Sequence, residues 1–412
     1  MKRNARRIFI LLLIVAVYSS CKEDKAAATT EEPDNTVPAA IDYSYKMGVN
    51  LNEQVDVADQ QDLADTKTKW VRCFIEVIDL YKTGTLNTDA KVAAFIALKS
   101  KGYNTALSLK FNFKKRGFPV ANSPDWNGYL NFIQPLLTKV MPYTDVIIVG
   151  NEPFIEAEQA HWNEPLNSFY KAACERTNNY LNTNQIEKPI FLGAFDNLYL
   201  NDRNTHAGYN NLFSFARSAN YLAGVDLHIH HTTEAEMTTA LAIAKGKIRA
   251  DQKVLVTEFS LMKHWRANNS QPISSAFIAA ANTSTTDKII PPPVGITKNH
   301  QYINYALKEP RPAEEWNAFW IYSPYLESKK SYLCTAYNAF MTAGNVFLTF
   351  YALRQSYPAN ADFTETTDPW VLNGLFMNLS IEKLNGRNQK SYSFLDQFKL
   401  IVDNQNPCNQ NK

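Results

Sequence analysis

Residues 146–156 read VIIVGNEPFIE. Four β-branched apolar residues run without a break into Gly150, Asn151, Glu152 and Pro153. An unbroken apolar run, rather than an alternating one, is the pattern of a strand covered on both of its faces, as in a parallel sheet. A buried strand therefore ends on a carboxylate held between an amide and a proline ring.

The same kind of run recurs along the chain. YKMGVNL (45–51), WVRCFIE (70–76), NTALSLKF (104–111) and DVIIVGNE (145–152) are followed by PIFLGAF (189–195), GVDLHIH (224–230), KVLVTEF (253–259) and NVFLTFYA (345–352). Helical patterns lie between them. Residues 89–102 stop at Gly102, and 125–140 and 165–182 are amphipathic. Thr233 opens residues 233–250 with Glu236 three positions later, a capping-box spacing, and residues 331–344 stop at Gly344. Eight strand–helix repeats predict an α/β fold, a (β/α)8 barrel of the TIM type. A doubly wound sheet is the second choice, disfavoured because no glycine-rich phosphate loop follows the first strand. Between the seventh and eighth strands, residues 260–344 break the rhythm. They hold Pro291-Pro292-Pro293 and a Ser/Thr/Asn-rich stretch, and predict a long insertion shaping one side of a cleft.

The start of the chain reads differently. Lys2, Arg3, Arg6 and Arg7 precede a short apolar run, and Tyr18-Ser19-Ser20 leads to Cys21. Residues 1–21 predict a secretory signal, too short in its apolar part for a comfortable transmembrane helix. The segment resembles a bacterial lipoprotein signal, with Tyr18 where that pattern usually has Leu. The resemblance implies lipidation at Cys21. The following Lys22-Glu23-Asp24-Lys25 resembles the charged export signal of surface lipoproteins in Bacteroidetes. That implies an exported protein anchored by lipid to the outer membrane and exposed at the cell surface. Residues 22–40 are Ala, Thr, Glu, Asp and Pro with little to bury, the composition of a disordered linker. The folded domain is expected over 41–412.

Composition narrows the class. The 412 residues are 45% hydrophobic and carry a net charge of +2, which provides a large core and no electrostatic footprint for nucleic acid. No second long apolar segment exists, so membrane contact is expected through the lipid alone. The 21 Tyr, 23 Phe and 7 Trp suit stacking on sugar rings as well as an aromatic core. After Cys21 four cysteines remain. Cys73, inside a predicted strand, is expected to be a free buried thiol, and Cys334–Cys408 is the pairing expected if one bridge forms.

In a parallel barrel the chemistry gathers where strands end. The second strand carries Arg72, the fourth ends in Asn151-Glu152, the sixth carries His228, His230 and His231, and the seventh ends in Glu258. Two carboxylates at the ends of strands four and seven are what glycoside hydrolysis requires. One protonates the leaving oxygen, and the other attacks or activates water. Here VGNEP and VTEFS resemble the paired signatures of clan A glycoside hydrolases, the retaining (β/α)8 glycosidases that include cellulases and mannanases. The resemblance implies that Glu152 is the acid/base, Glu258 the nucleophile and Asn151 the contact to a sugar 2-hydroxyl. It also implies that Arg72 hydrogen-bonds the nucleophile and that His228 and His230 contact the substrate region. His230 stands where Tyr is common in the clan. No His ends the third strand and no clear Trp ends the eighth, where Trp370 or Tyr351 could serve.

The expected activity is a retaining β-glycosidase acting on an oligo- or polysaccharide of plant or host type, with no metal and no cofactor. Burial is expected to raise the Glu152 carboxyl, while Arg72 and a histidine keep Glu258 ionised. Trp162 and Trp265, each shortly after a catalytic strand, are candidate sugar platforms, and Asn50 and Asn52 are candidate hydrogen-bonding groups. His228 and His230 share one side of their strand while His231 takes the other, and with no carboxylate set among them metal binding is not expected. The competing reading is a surface glycan-binding protein that keeps the site and lacks turnover.

Overall fold

The apolar runs pair in the order in which they occur. A computed structural model describes residues 41–286, 288–355, 364–377 and 379–404. In it a closed parallel barrel is formed by β1 (Lys46–Asn50), β2 (Trp70–Glu76), β3 (Asn104–Lys110), β4 (Val146–Val149), β5 (Ile190–Asp196), β6 (Leu222–His230), β7 (Lys253–Ser260) and β8 (Val346–Ala352). Each strand pairs with the next, and β8 returns to β1 with Gly48 opposite Phe350 and Asn50 opposite Ala352. This is the expected (β/α)8 barrel. It belongs to the unit Tyr43–Lys412. The signal, the linker and the Cys21 lipidation site expected over 1–40 lie outside the described residues. Among the described residues no helix is long and apolar enough to cross a membrane.

The helices stop and start where local chemistry dictates. Thr233 accepts a hydrogen bond from the Glu236 backbone N–H, and the Glu236 carboxylate accepts from the Thr233 N–H, closing the predicted capping box on Glu234–Lys247. Gly344 ends Tyr332–Ala343 at φ 77°, in the left-handed region glycine tolerates.

Two cores result. Ala106, Val146, Ile148, Phe191, Leu255 and Phe347 fill the lower barrel, while a larger cluster fills the space between strands and helices. Towards the C-terminal end the lining turns polar, with Arg72, Ser108, Asp226 and His228 all fully buried. Such groups are tolerated inside only when hydrogen-bonded or paired to one another, which concentrates the interactions at that end.

Two expectations change. First, the segment expected as a long insertion between β7 and β8 is built of helices, Met262–Ala267, Ser275–Thr283, Asn299–Lys308 and Ala313–Tyr322, before the expected helix Tyr332–Ala343. Phe277, Tyr302, Trp316 and Phe319 pack ring against ring there, and buried Glu315 accepts from Arg311 Nε and the Tyr302 hydroxyl, both at 2.9 Å. The aromatic residues of this segment form a core of their own. Second, β4 ends at Val149, three residues before Glu152. Gly150 leaves extended geometry at φ 115°, and a Cβ there would meet the Gly193 carbonyl oxygen at 1.9 Å. Asn151 and Glu152 thus stand on a turn just past the strand.

Cys73 and Cys174 are free and buried, as expected for Cys73. Cys334 is disulfide-bonded; Cys408, its expected partner, lies outside the described residues.

Candidate active site

Arg72 is the hub of the barrel mouth. Its side chain is wholly buried, so every donor needs an acceptor. Nε donates to Ser108 Oγ at 3.1 Å, Nη1 to Glu258 Oε1 at 2.7 Å and Asn50 Oδ1 at 3.1 Å, and Nη2 to Asn151 Oδ1 at 2.5 Å. Strands one to four and seven are tied together through one guanidinium. Arg72 thus occupies Asn151 through its Oδ1, which leaves the amide hydrogens out of this network. Asn50 Nδ2 donates to Asn52 Oδ1 at 2.6 Å, so this pair is joined to the same network.

Glu152 is held at φ 50°, a left-handed conformation unusual for a residue with a Cβ. Its carboxylate oxygen Oε1 lies 3.0 Å from His228 Nδ1. The approach is off the N–H axis, and Nδ1 has no aligned hydrogen-bond acceptor, so the contact is an ion pair first. On the other side of the ring, Nε2 is 3.0 Å from Thr257 Oγ1 and 3.7 Å from Glu258 Oε1. The two carboxylates thus flank opposite nitrogens of one imidazole. Glu152 and Glu258 remain 20% and 15% exposed, open enough to be reached.

The charges follow from these distances. Burial acts to raise the Glu152 carboxyl, but the positive His228 ring outweighs it and lowers it to about 2. The expectation of a raised Glu152 is therefore corrected. A histidine 76 residues away in sequence stands closer than the apolar wall. Burial acts to lower His228, and the charges of Glu258 and then Glu152 overcome it and raise it. Glu258 is lowered as expected: burial opposes ionisation, while His228 and then Arg72 favour it.

This pairing makes stability depend on pH. A carboxyl lowered on folding stabilises the native state above its ordinary value of 4.5, and that contribution disappears as the pH falls towards 2. A histidine raised on folding stabilises below its ordinary 6.5, and that contribution is lost as the pH rises through the raised value. Thermal melts are expected to show the pair contributing most between pH 4.5 and 6.5. Glu152→Gln should flatten the acid limb, and an unchanged acid limb in that variant would contradict the ion pair.

His230 sits beside this centre, with Nδ1 2.8 Å from Ser260 Oγ and Nε2 3.9 Å from Glu258 Oε2. Burial lowers it, against the pull of Glu258 and Glu152, so it is the neutral neighbour of a charged His228. Trp370 meets the His230 ring edge-on at 5.1 Å and is only partly buried, which brings it to the mouth. Tyr351 is fully buried against Phe259 and Phe394. His231 points away, with Nε2 3.0 Å from the Tyr332 hydroxyl.

The two tryptophan expectations are corrected. Trp265 is fully buried between Trp320 and Phe394, where it joins the helical segment to the rest of the core. Trp162 is buried against Phe154 and Tyr209, with the Arg203 guanidinium 4.4 Å from its ring. Neither presents a free face to a sugar ring. Proximity in sequence to the end of β4 or β7 does not determine which way a side chain turns.

Glu152, His228 and His230 bring one ligand-type atom each within 4.8 Å of one another, a grouping not foreseen from the histidines alone. Both nitrogens of His228 are engaged, by Glu152 and by Thr257, so the cluster reads as one that handles protons. Sequence reasoning also passed over Asp226 and Thr257. Each was a polar residue inside an apolar strand, and that was the available signal.

No family model matches the chain, and no curated protein matches it. Solved structures similar to it include a GH1 β-glucosidase from Exiguobacterium antarcticum B7, 8% identical over 87% of this chain and 97% of that one, with a TM-score of 0.49. Xylanase 10B from Thermotoga maritima is 8% identical over 88% and 97%, at 0.48. An endo-β-1,4-glucanase from Xanthomonas axonopodis pv. citri is 11% identical over 87% and 99%, at 0.46. These likenesses are of fold.

Proposed function

We propose that the chain is an exported retaining β-glycosidase acting on an oligo- or polysaccharide by double displacement. The observation that carries this reading is the placement of Glu152 and Glu258 on opposite nitrogens of His228, with Glu258 also paired to Arg72. One carboxylate has a proton source beside it, and the other is kept charged. In the first step Glu258 Oε attacks the anomeric carbon. The glycosidic bond breaks with its electrons on the leaving oxygen, and that oxygen takes the proton from Glu152. Glu152 is ionised in the free protein, so the proton it passes on comes from His228 Nδ1–H, leaving the ring neutral and Glu152 a carboxylate for the second step, and the proton it then takes from water returns to Nδ1. In the second step Glu152 removes a proton from water as the water attacks the anomeric carbon, and the bond to Glu258 breaks, returning its electrons to the carboxylate. In this reading Asn151 donates to the sugar 2-hydroxyl, and Trp370 bears on a sugar face.

Exposure of the intact protein to a panel of 2-fluoro glycosides tests the reading. One adduct is expected, mapping to Glu258 and absent in Glu258→Gln. For protein purified from membranes, the same mass spectrum reads the proposed lipid on Cys21. A second reading, a glycan-binding protein without turnover, is favoured by one observation: His228 stands against the Glu152 carboxylate and holds it down, away from the protonated form an acid catalyst needs. Binding on glycan arrays with no adduct from any sugar would select it.

A further inference from the structure

We propose that Asp226 and Thr257 are positioning residues that fix which nitrogen of His228 carries hydrogen, and so place one proton between His228 and Glu152. The catalytic consequence rests on the glycosidase reading; the hydrogen-bond arrangement does not.

The argument begins with the ladder. Leu227 pairs with Val256 and His228 with Glu258, so Thr257 has no partner opposite it. This bulge frees the Thr257 N–H, which donates to Asp226 Oδ1 at 3.0 Å. Asp226 precedes His228 by two residues on β6 and so lies on the same side of the strand, fully buried. Its Oδ2 accepts the Thr257 hydroxyl at 2.6 Å. A hydroxyl has a single hydrogen. With that hydrogen on Asp226, Thr257 Oγ1 only accepts from His228 Nε2, 3.0 Å away. Nε2 therefore carries hydrogen, and Nδ1 is the nitrogen facing Glu152. That leaves two arrangements for the pair, Nδ1–H beside a carboxylate or bare Nδ1 beside a carboxyl O–H. They differ only in which partner holds one proton.

The groups facing His228 are Glu152 from the turn after β4, Glu258 from β7 and Asp226 and His230 from β6. Arg72 from β2 acts on Glu258, and Lys110 from β3 acts on Glu152. Of these only Glu258 competes for Nε2, at 3.7 Å. The Thr257 hydroxyl, nearer at 3.0 Å, keeps the Nε2 hydrogen off the nucleophile. Without it the ring can turn its donor to Glu258 and carry Nδ1 away from its 3.0 Å contact with Glu152.

The test uses Thr257→Val, Thr257→Ser and Asp226→Asn in the full chain. On a hydrolysed aryl glycoside, Thr257→Val is expected to lose roughly 10- to 100-fold in kcat/KM, the scale of a misplaced proton donor. Its alkaline limb should move to lower pH, because the acceptor that favours protonated His228 is gone. Asp226→Asn should move the limb the same way, and Thr257→Ser should restore both rate and limb. A merely structural role would lower the rate and leave the limb in place, and that result overturns the proposal. Independently of turnover, 15N spectra of histidine-labelled protein, recorded above the His228 transition, should show hydrogen on Nε2 in the wild type and lose that preference in Thr257→Val. Hydrogen on Nδ1 in the wild type overturns the proposal. If no glycoside is hydrolysed while the Nε2 preference is present and depends on Thr257, the positioning stands and the glycosidase reading falls. If hydrolysis occurs and neither limb nor spectrum responds, only the positioning falls.

Discussion

Glu258→Gln is expected to lower kcat/KM by at least about 10⁴-fold on any glycoside that labels the wild type, the scale on which losing a nucleophile acts. An amide oxygen is a far weaker nucleophile than a carboxylate and cannot form the glycosyl ester. It still accepts a hydrogen bond from Arg72 Nη1, which now stands 2.7 Å from Glu258 Oε1, so the barrel should remain folded. Removing the charge also removes the largest support for a protonated His228, and the pH profile of any residual activity should lose its alkaline limb to lower pH. Glu258→Ala opens space beside the anomeric carbon. Added azide should then attack from that side and release a glycosyl azide of inverted configuration. Activity of Glu258→Gln within about tenfold of wild type would remove Glu258 from the chemistry.

Arg72→Met is expected to destabilise the fold by about 3–5 kcal/mol, the cost of leaving a buried charge without its partner. Spread over a barrel of this size, that corresponds to a fall of roughly 4–6 °C in Tm. The reason is the number of groups that depend on one side chain. Ser108, Asn50, Asn151 and Glu258 all accept from it, and all but Glu258 are buried away from water. Glu258 would also ionise less readily without Arg72, so activity should fall together with stability. Arg72→Met combined with Glu258→Leu removes both charges and should cost less than the sum of the single changes. A single Arg72→Met variant melting within a degree of wild type would contradict the hub.

Much of the fold was legible because a barrel strand covered on both faces has only one composition open to it. β2 matches its expected bounds, and β3, β5 and β7 are shifted by only a residue. β4 was read three residues too far at its C-terminal end, because its turn depends on the close approach of Gly150 to Gly193 across the sheet, which a linear pattern does not contain. The segment between β7 and β8 was read as an insertion with a helix only over 331–344, since Pro291-Pro292-Pro293 and the Ser/Thr/Asn-rich stretch stood out more plainly than the aromatic residues that build its core.

The architecture, and the residue types that meet at its mouth, follow from residue order alone. Closing a parallel barrel brings every strand's C-terminal end to one place, so Arg72, Asn151, Glu152, His228 and Glu258 had to converge. What those groups are to one another depends on the folded barrel. His228 holds Glu152 at 3.0 Å and Glu258 at 3.7 Å from opposite nitrogens, Asp226 reaches the ring through Thr257, and Trp162 and Trp265 turn inward. Ionisation depends on burial and on distances of a few ångströms between groups far apart in the chain. Residue order determines which groups meet, and packing determines how closely.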